Sequence, residues 1–218
     1  MKKLNSKDLI SISLLTTDEV NLIIKESDEL KNGPRNTEHL KGKTLAMIFE
    51  KPSTRTRVSF ETGMYQLGGL GMYFSPKDLQ MGRGETIHDT AKVLSRFVDG
   101  IMARTFSHQT ILDLAKYASV PVINGLSDFD HPCQALADLF TIYEKRGELK
   151  GLTLAYIGDG NNVLHSLIQG CVKVGMNINY ASPGGYTPLS SVVEEANEAA
   201  KITGSKIFAT NDPVEAVK

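Results

Sequence analysis

The 218-residue chain carries 24 Lys and Arg against 25 Asp and Glu, and its hydrophobic residues and 19 glycines together make up about half of it, an ordinary globular composition. The length allows one large or two small domains, each able to bury a core. A net charge of −1 gives no global reason to expect nucleic acid or an anionic membrane surface as a partner, so any basic site must be local.

In chain order, short β-rich apolar runs alternate with helical patterns: strand 44–49 then helix 52–67, strand 71–74 then helix 86–98, strand 101–103 then helix 109–117. Within 86–98, Ile87, Ala91, Leu94 and Val98 form one helical stripe that should cover a sheet face. A strand at 120–123 and a loop at 124–130 follow. Leu136, Leu139, Phe140 and Tyr143 then line a helix ending near Gly147. After residue 150 the alternation restarts with strand 152–157, helix 163–174, strand 177–181, helix 189–202 and strand 206–209, and the first turn of another helix at 212–216. Strand–helix alternation of this kind gives parallel sheets. The expectation is an α/β chain of two doubly wound domains, 1–149 and 150–218, the second incomplete with three strands and two helices.

Cys133 and Cys171 are too few for a disulfide framework and lack the spacing of a zinc site, which suits a reducing, cytoplasmic compartment. Lys2 and Lys3 open the chain, but Lys7 and Asp8 interrupt the next apolar residues. No run approaches the ~18 residues of a membrane span, so neither a targeting nor a transmembrane segment is expected.

The most informative stretch is Glu50-Lys51-Pro52-Ser53-Thr54-Arg55-Thr56-Arg57, which leaves a strand and enters a helix. The first backbone N–H groups of a helix lack intrahelical partners, the dipole there is positive, and arginine binds phosphate oxygens bidentately. The alternative, an ordinary cap with two solvated arginines, sits poorly with the dipole, which favours Asp or Glu at a helix start. Gly42-Lys43-Thr44 imitates the end of a Walker loop, but Thr37 occupies its first glycine position and the triplet precedes a strand.

The turn Gln80-Met81-Gly82-Arg83-Gly84-Glu85 is a plain surface turn or a close approach to a ligand or neighbouring subunit. Arg104 and His131-Pro132-Cys133-Gln134 follow strands, at the ends where open α/β sheets bind ligands. His39, His88, His108 and His165 read as structural hydrogen bonders, and Cys133, with no adjacent base, as packing. Gly158-Asp159-Gly160-Asn161-Asn162 resembles the start of a dinucleotide fingerprint, but Val163 stands at the third glycine position and Tyr180-Ala181-Ser182 lacks the ribose-binding acid. A nicotinamide dehydrogenase is therefore disfavoured. The Asn161 and Asn162 amides suit a zwitterionic substrate, or simply cap a helix.

Taken together and in this order, Ser53-Thr54-Arg55-Thr56-Arg57, Arg104, His131-Pro132-Cys133-Gln134 and Gly158-Asp159-Gly160-Asn161-Asn162 resemble the transcarbamoylases, and within them the ornithine branch, over essentially the whole chain. The resemblance implies carbamoyl transfer from carbamoyl phosphate to the δ-amine of L-ornithine, giving L-citrulline and phosphate without metal or organic cofactor. It implies that Ser53, Thr54, Arg55 and Thr56 hold the phosphate and that Arg104 bridges phosphate and carbonyl. Thr56, Arg104 and His131 then point at the carbonyl oxygen, Gln134 at the carbamoyl amide, and Asn162 at the ornithine α-amino acid group. It further implies a homotrimer or multiple of trimers, in which Gln80 reaches a neighbour's phosphate. The family's Asp-x-Trp-x-Ser-Met-Gly and His-Cys-Leu-Pro segments and its final helix do not occur in this sequence, which has no Trp. The expectation is thus a fragment of a longer enzyme, or a short form that binds carbamoyl phosphate without turnover. A transcarbamoylase for a related amine, such as putrescine or N-acetylornithine, is the other alternative.

Overall fold

The computed structural model describes residues 4–81 and 84–218, so Lys2, Lys3, Gly82 and Arg83 lie outside the described residues. Two compact units result. One comprises Ser6–Ile10 and Glu29–Asp128; the other comprises Leu4, Asn5, Ser11–Asp28 and Phe129–Lys218. The helix that begins at Pro132 packs on a helix of the second sheet.

The first unit is built on β1 (Thr44–Phe49), β2 (Leu70–Phe74), β3 (Gly100–Arg104) and β4 (Val122–Leu126), all parallel in the order β2-β1-β3-β4. Successive strand residues point to opposite faces, and β1 is apolar along both. Ala46 and Ile48 face a core shared with Ile101, Ala103 and Val122. Leu45, Met47 and Phe49 face a second core with Met102 and Met64. An interior parallel strand covered on both sides gives this unbroken apolar run. Helix α2 (Thr54–Gln66) supplies Met64 to the second core, while α3 (Ile87–Leu94) and α4 (His108–Tyr117) supply Ala91, Ile111 and Leu114 to the first. The expected stripe Ile87, Ala91, Leu94 and Val98 faces that core, although the helix stops at Leu94.

The outer edge of β4 does not remain open. Leu9 pairs with Ile123, its N–H donating to the Val122 carbonyl at 2.9 Å and its carbonyl accepting from Asn124 N at 2.8 Å. Asp8 Oδ1 accepts from Val122 N at 2.8 Å. Covering an edge in this way removes a row of unpaired backbone groups.

The second unit holds β5 (Thr153–Ile157), β6 (Asn177–Ala181) and β7 (Ile207–Thr210), parallel and in sequential order. Its helices are α5 (Pro132–Arg146), α6 (Asn162–Lys173), α7 (Ser190–Thr203) and the short α8 (Pro213–Ala216). Helix α6 is buried without a break from Leu164 to Val172, as befits a helix with neighbours on several sides.

Helix α1 (Thr17–Asn32) and a 3-10 turn at Ile12–Leu14 lie before the first expected element. The Thr16 hydroxyl accepts from Glu19 N at 3.2 Å, and the Glu19 carboxylate accepts from Thr16 N at 2.9 Å. That reciprocal pair is a capping box, and Thr16-x-x-Glu19 was its signal in the sequence. Among the described residues, no helix is long and apolar enough to cross a membrane.

Candidate active site

In the first unit the chain runs from β1 to β2 on one side and to β3 on the other, so the strand order reverses at the carboxyl ends of β1 and β3. Open α/β sheets bind ligands at this switch point. Arg104 ends β3 directly beside Phe49 at the end of β1, and the loop from β1 leads to Ser53, the cap of α2, and to Thr54, Arg55 and Thr56 in its first turn.

Two hydrogen bonds tie this loop to β3: Glu50 N donates to the Arg104 carbonyl at 2.8 Å, and Phe106 N donates to Glu50 Oε2 at 2.7 Å. Nothing in the sequence singled out Glu50 for this. The β3–β4 register slips between Ala103 and Arg104, a bulge of the kind that re-aims a side chain beside a site. Gly125 occupies the slip, and a Cβ there would lie 2.6 Å from Met102 Sδ and 3.2 Å from the Ala103 carbonyl oxygen.

Ser53 is the N-cap of α2, its hydroxyl accepting from Thr56 N at 3.3 Å and donating to Thr56 Oγ1 at 3.1 Å. The first turn contains no acid, so the positive end of the helix is uncompensated by its own side chains. Arg57 is occupied elsewhere, stacked 3.9 Å from the Tyr73 ring centroid with Nε 3.0 Å from Glu61 Oε1. Arg55 is exposed and close enough to Arg104 that its charge, after burial, helps hold the Arg104 guanidinium below the usual arginine range. Arg104 Nε is buried with no hydrogen-bond partner. Two guanidinium groups of like charge beside a bare helix start make a seat suited to an anion. Gln80 is exposed, and its carbonyl accepts from Glu85 N at 3.4 Å.

In the second unit His131 is the N-cap of α5, followed by Pro132 in the first turn, where its missing N–H is harmless. The imidazole makes no capping bond. The backbone does the anchoring: His131 N meets Asp130 Oδ1 at 3.0 Å and Ser166 Oγ at 2.8 Å. Burial pushes the Asp130 carboxyl up to about 7 against the hydrogen bonds from Ser11 and His131, with the Glu195 charge adding to the rise. Neither Asp130 nor Ser166 stood out in the sequence. Burial also pushes the Cys133 thiol up to about 12, helped by the Asp130 charge, so Cys133 is a protonated packing group at neutral pH. Gln134 is exposed and its Nε2 donates to Asp138 Oδ1 at 2.9 Å.

At the start of α6, Asn161 is the cap, its Oδ1 accepting from Val163 N at 2.9 Å and Leu164 N at 3.2 Å. Asn162 is the first helical residue. Gly160 N donates to the Tyr186 carbonyl, and a Cβ on Gly160 would fall 2.1 Å from Pro188 N. Glycine is therefore required there for loop packing, independently of any nucleotide. Three of the remaining histidines have structural partners: His88 Nδ1 with Asp89, His108 Nδ1 with Ser127, and His165 between the Phe129 carbonyl and Leu189 N.

Comparison with known proteins shows the family of the chain. The family model described as "Aspartate/ornithine carbamoyltransferase, carbamoyl-P binding domain" matches residues 7–144, and "Aspartate/ornithine carbamoyltransferase, Asp/Orn binding domain" matches residues 150–218. The chain belongs to the aspartate/ornithine carbamoyltransferase family. Among its relatives, the ornithine carbamoyltransferase of Anoxybacillus flavithermus is 56% identical over 218 residues, covering 99% of this chain and 69% of the relative. That of Bacillus subtilis is 57% identical over 215 residues, covering 99% and 67%. The solved structure of ornithine carbamoyltransferase from Pyrococcus furiosus superimposes with a TM-score of 0.94 at 51% identity, covering all of this chain and 71% of that one. The expected α/β transcarbamoylase fold is the one observed.

Proposed function

We propose that this chain transfers the carbamoyl group of carbamoyl phosphate to the δ-amine of L-ornithine, giving L-citrulline and phosphate. The observation that carries the reading is the acid-free start of α2 at the switch point, where Arg55 acts electrostatically on Arg104 and Arg104 Nε is buried without a partner. A phosphate dianion relieves the repulsion between the two guanidinium groups and supplies the missing acceptor.

On this reading Ser53, Thr54, Arg55 and Thr56 hold the phosphate, and Arg104 reaches from phosphate to carbonyl. Amine attack places negative charge on the carbonyl oxygen. Fixed donors aimed at that oxygen bind the tetrahedral transition state more tightly than the ground state. Thr56, Arg104 and His131 take that role, and the arginines then stabilise the departing phosphate. Gln134 turns from Asp138 to the carbamoyl amide. Asn162 grips the α-amino acid group of ornithine, whose δ-amine, with a lysine-like pKa near ~10.4, must react in its scarce neutral form. No metal or organic cofactor enters this chemistry. A homotrimer or multiple of trimers and a cytoplasmic location belong to the same reading; the exposed position of Gln80 supports its contact with a neighbouring copy.

Carbamoylation of ornithine, putrescine or N-acetylornithine by carbamoyl phosphate, each followed by its own carbamoylated product and by phosphate release, tests this proposal. Citrulline from ornithine, with little product from the other amines, is expected. A folded chain that binds carbamoyl phosphate and carbamoylates none of them would instead be a binding module, and preference for another amine would reassign the substrate.

A further inference from the structure

A fully buried polar pair lies behind His131. Asp130 and Ser166 are each 0% exposed, and Ser166 sits on α6 among Leu164, Leu167, Ile168 and Cys171. A buried hydroxyl or carboxyl costs free energy unless hydrogen bonds offset its lost hydration. Beside the hydrogen bond from Ser11 to Asp130, their bonds reach two residues assigned above to substrate. His131 N donates to Ser166 Oγ and to Asp130 Oδ1. The Ser166 hydroxyl is within donating reach of Asp130 Oδ1 and, at 3.1 Å, of the Asn162 carbonyl. One side chain therefore touches the backbones of both His131 and Asn162.

The consequence is geometric. His131 has φ −134° and ψ 65°, neither helical nor extended, and its ring does not cap its own helix. The direction in which the imidazole leaves the backbone is thus set by whatever holds the peptide N–H. We propose that Asp130 and Ser166 are positioning residues, which fix the His131 backbone and link it to the first turn of α6 so that His131 and Asn162 keep one mutual orientation. This role deepens the carbamoyl-transfer reading and rests on its assignment of His131. The pair touches no substrate and acts only through the residues it holds.

The test compares affinities of the 218-residue chain for carbamoyl phosphate and for inorganic phosphate by calorimetry, since only the former has a carbamoyl end for His131. Variants are Ser166→Ala, Ser166→Cys, which keeps the volume but bonds weakly, Asp130→Asn, which keeps the Oδ1 acceptor, and His131→Ala as reference. Ser166→Ala and Ser166→Cys should lose about tenfold of the preference for carbamoyl phosphate, as His131→Ala does, with phosphate affinity and circular dichroism unchanged. Asp130→Asn should keep the preference. If a folded Ser166 variant keeps the preference while His131→Ala loses it, the positioning role is overturned and the site reading stands. Loss of preference in a folded Asp130→Asn would overturn the part given to the Oδ1 acceptor. If His131→Ala itself keeps the preference, the assignment of His131 fails and this role with it.

Discussion

Arg55 and Arg57 stand two positions apart in one motif, yet their surroundings separate them. Arg57 is stacked on Tyr73 and paired with Glu61, while Arg55 acts on Arg104. Arg55→Ala should therefore weaken carbamoyl-phosphate binding by about 1.5–3 kcal/mol, the scale of a charge-assisted contact. Arg57→Ala should leave that affinity nearly unchanged and lower stability by about 0.5–1 kcal/mol through the lost ring and helix contacts. Calorimetry and chemical denaturation of the two variants check both halves, and equal losses of affinity would contradict the distinction. The sequence showed both arginines at a helix start, because a helix start leaves a local pattern. It could not show which guanidinium was already engaged, since Tyr73 lies on β2, outside the motif. Asp130 and Ser166 were illegible for the same reason, being 36 residues apart.

At the level of elements, the seven strands were readable because each is a short apolar run closed by a turn or a helix cap. Their ends were less so: β4 runs Val122–Leu126, where the sequence suggested 120–123, because Asn124 and Gly125 read as loop. Asn124 is tolerated in a strand since its Nδ2 donates to the Ile10 carbonyl at 2.9 Å, and Gly125 fills the bulge that sets Arg104. His165 shows a structural histidine predicted as such. The Phe129 carbonyl accepts from Nδ1, leaving Nε2 to accept from Leu189 N, so both nitrogens are used at 2.9 and 3.3 Å. His165→Ala should cost about 2–4 kcal/mol, from two stranded backbone groups and a buried cavity. Urea denaturation measures this, and a loss below about 0.5 kcal/mol would place His165 outside the scaffold.

For the whole molecule, the Asp130 carboxyl couples stability to pH. Its folded value of about 7 lies above the ordinary 3.8, so the folded chain holds a proton that the unfolded chain releases. The contribution is present below about pH 4 and is lost as pH rises to 7, with an upper limit of about 4 kcal/mol. Stability from Asp130 should thus be greater at pH 5 than at pH 8, and Asp130→Asn should flatten that difference in urea titrations at the two pH values. An unchanged slope in the variant would contradict the assignment. The order of motifs was legible along the whole chain, and with it the family; the pairing of α5 with α6 was not, because it depends on packing that leaves no local pattern. The anion seat between Ser53 and Arg104 is put to the test by calorimetric titration of the folded chain with carbamoyl phosphate. Saturable binding, at about one ligand per chain and displaced by inorganic phosphate, is the predicted result. A folded chain that takes up no carbamoyl phosphate at millimolar concentration would contradict it.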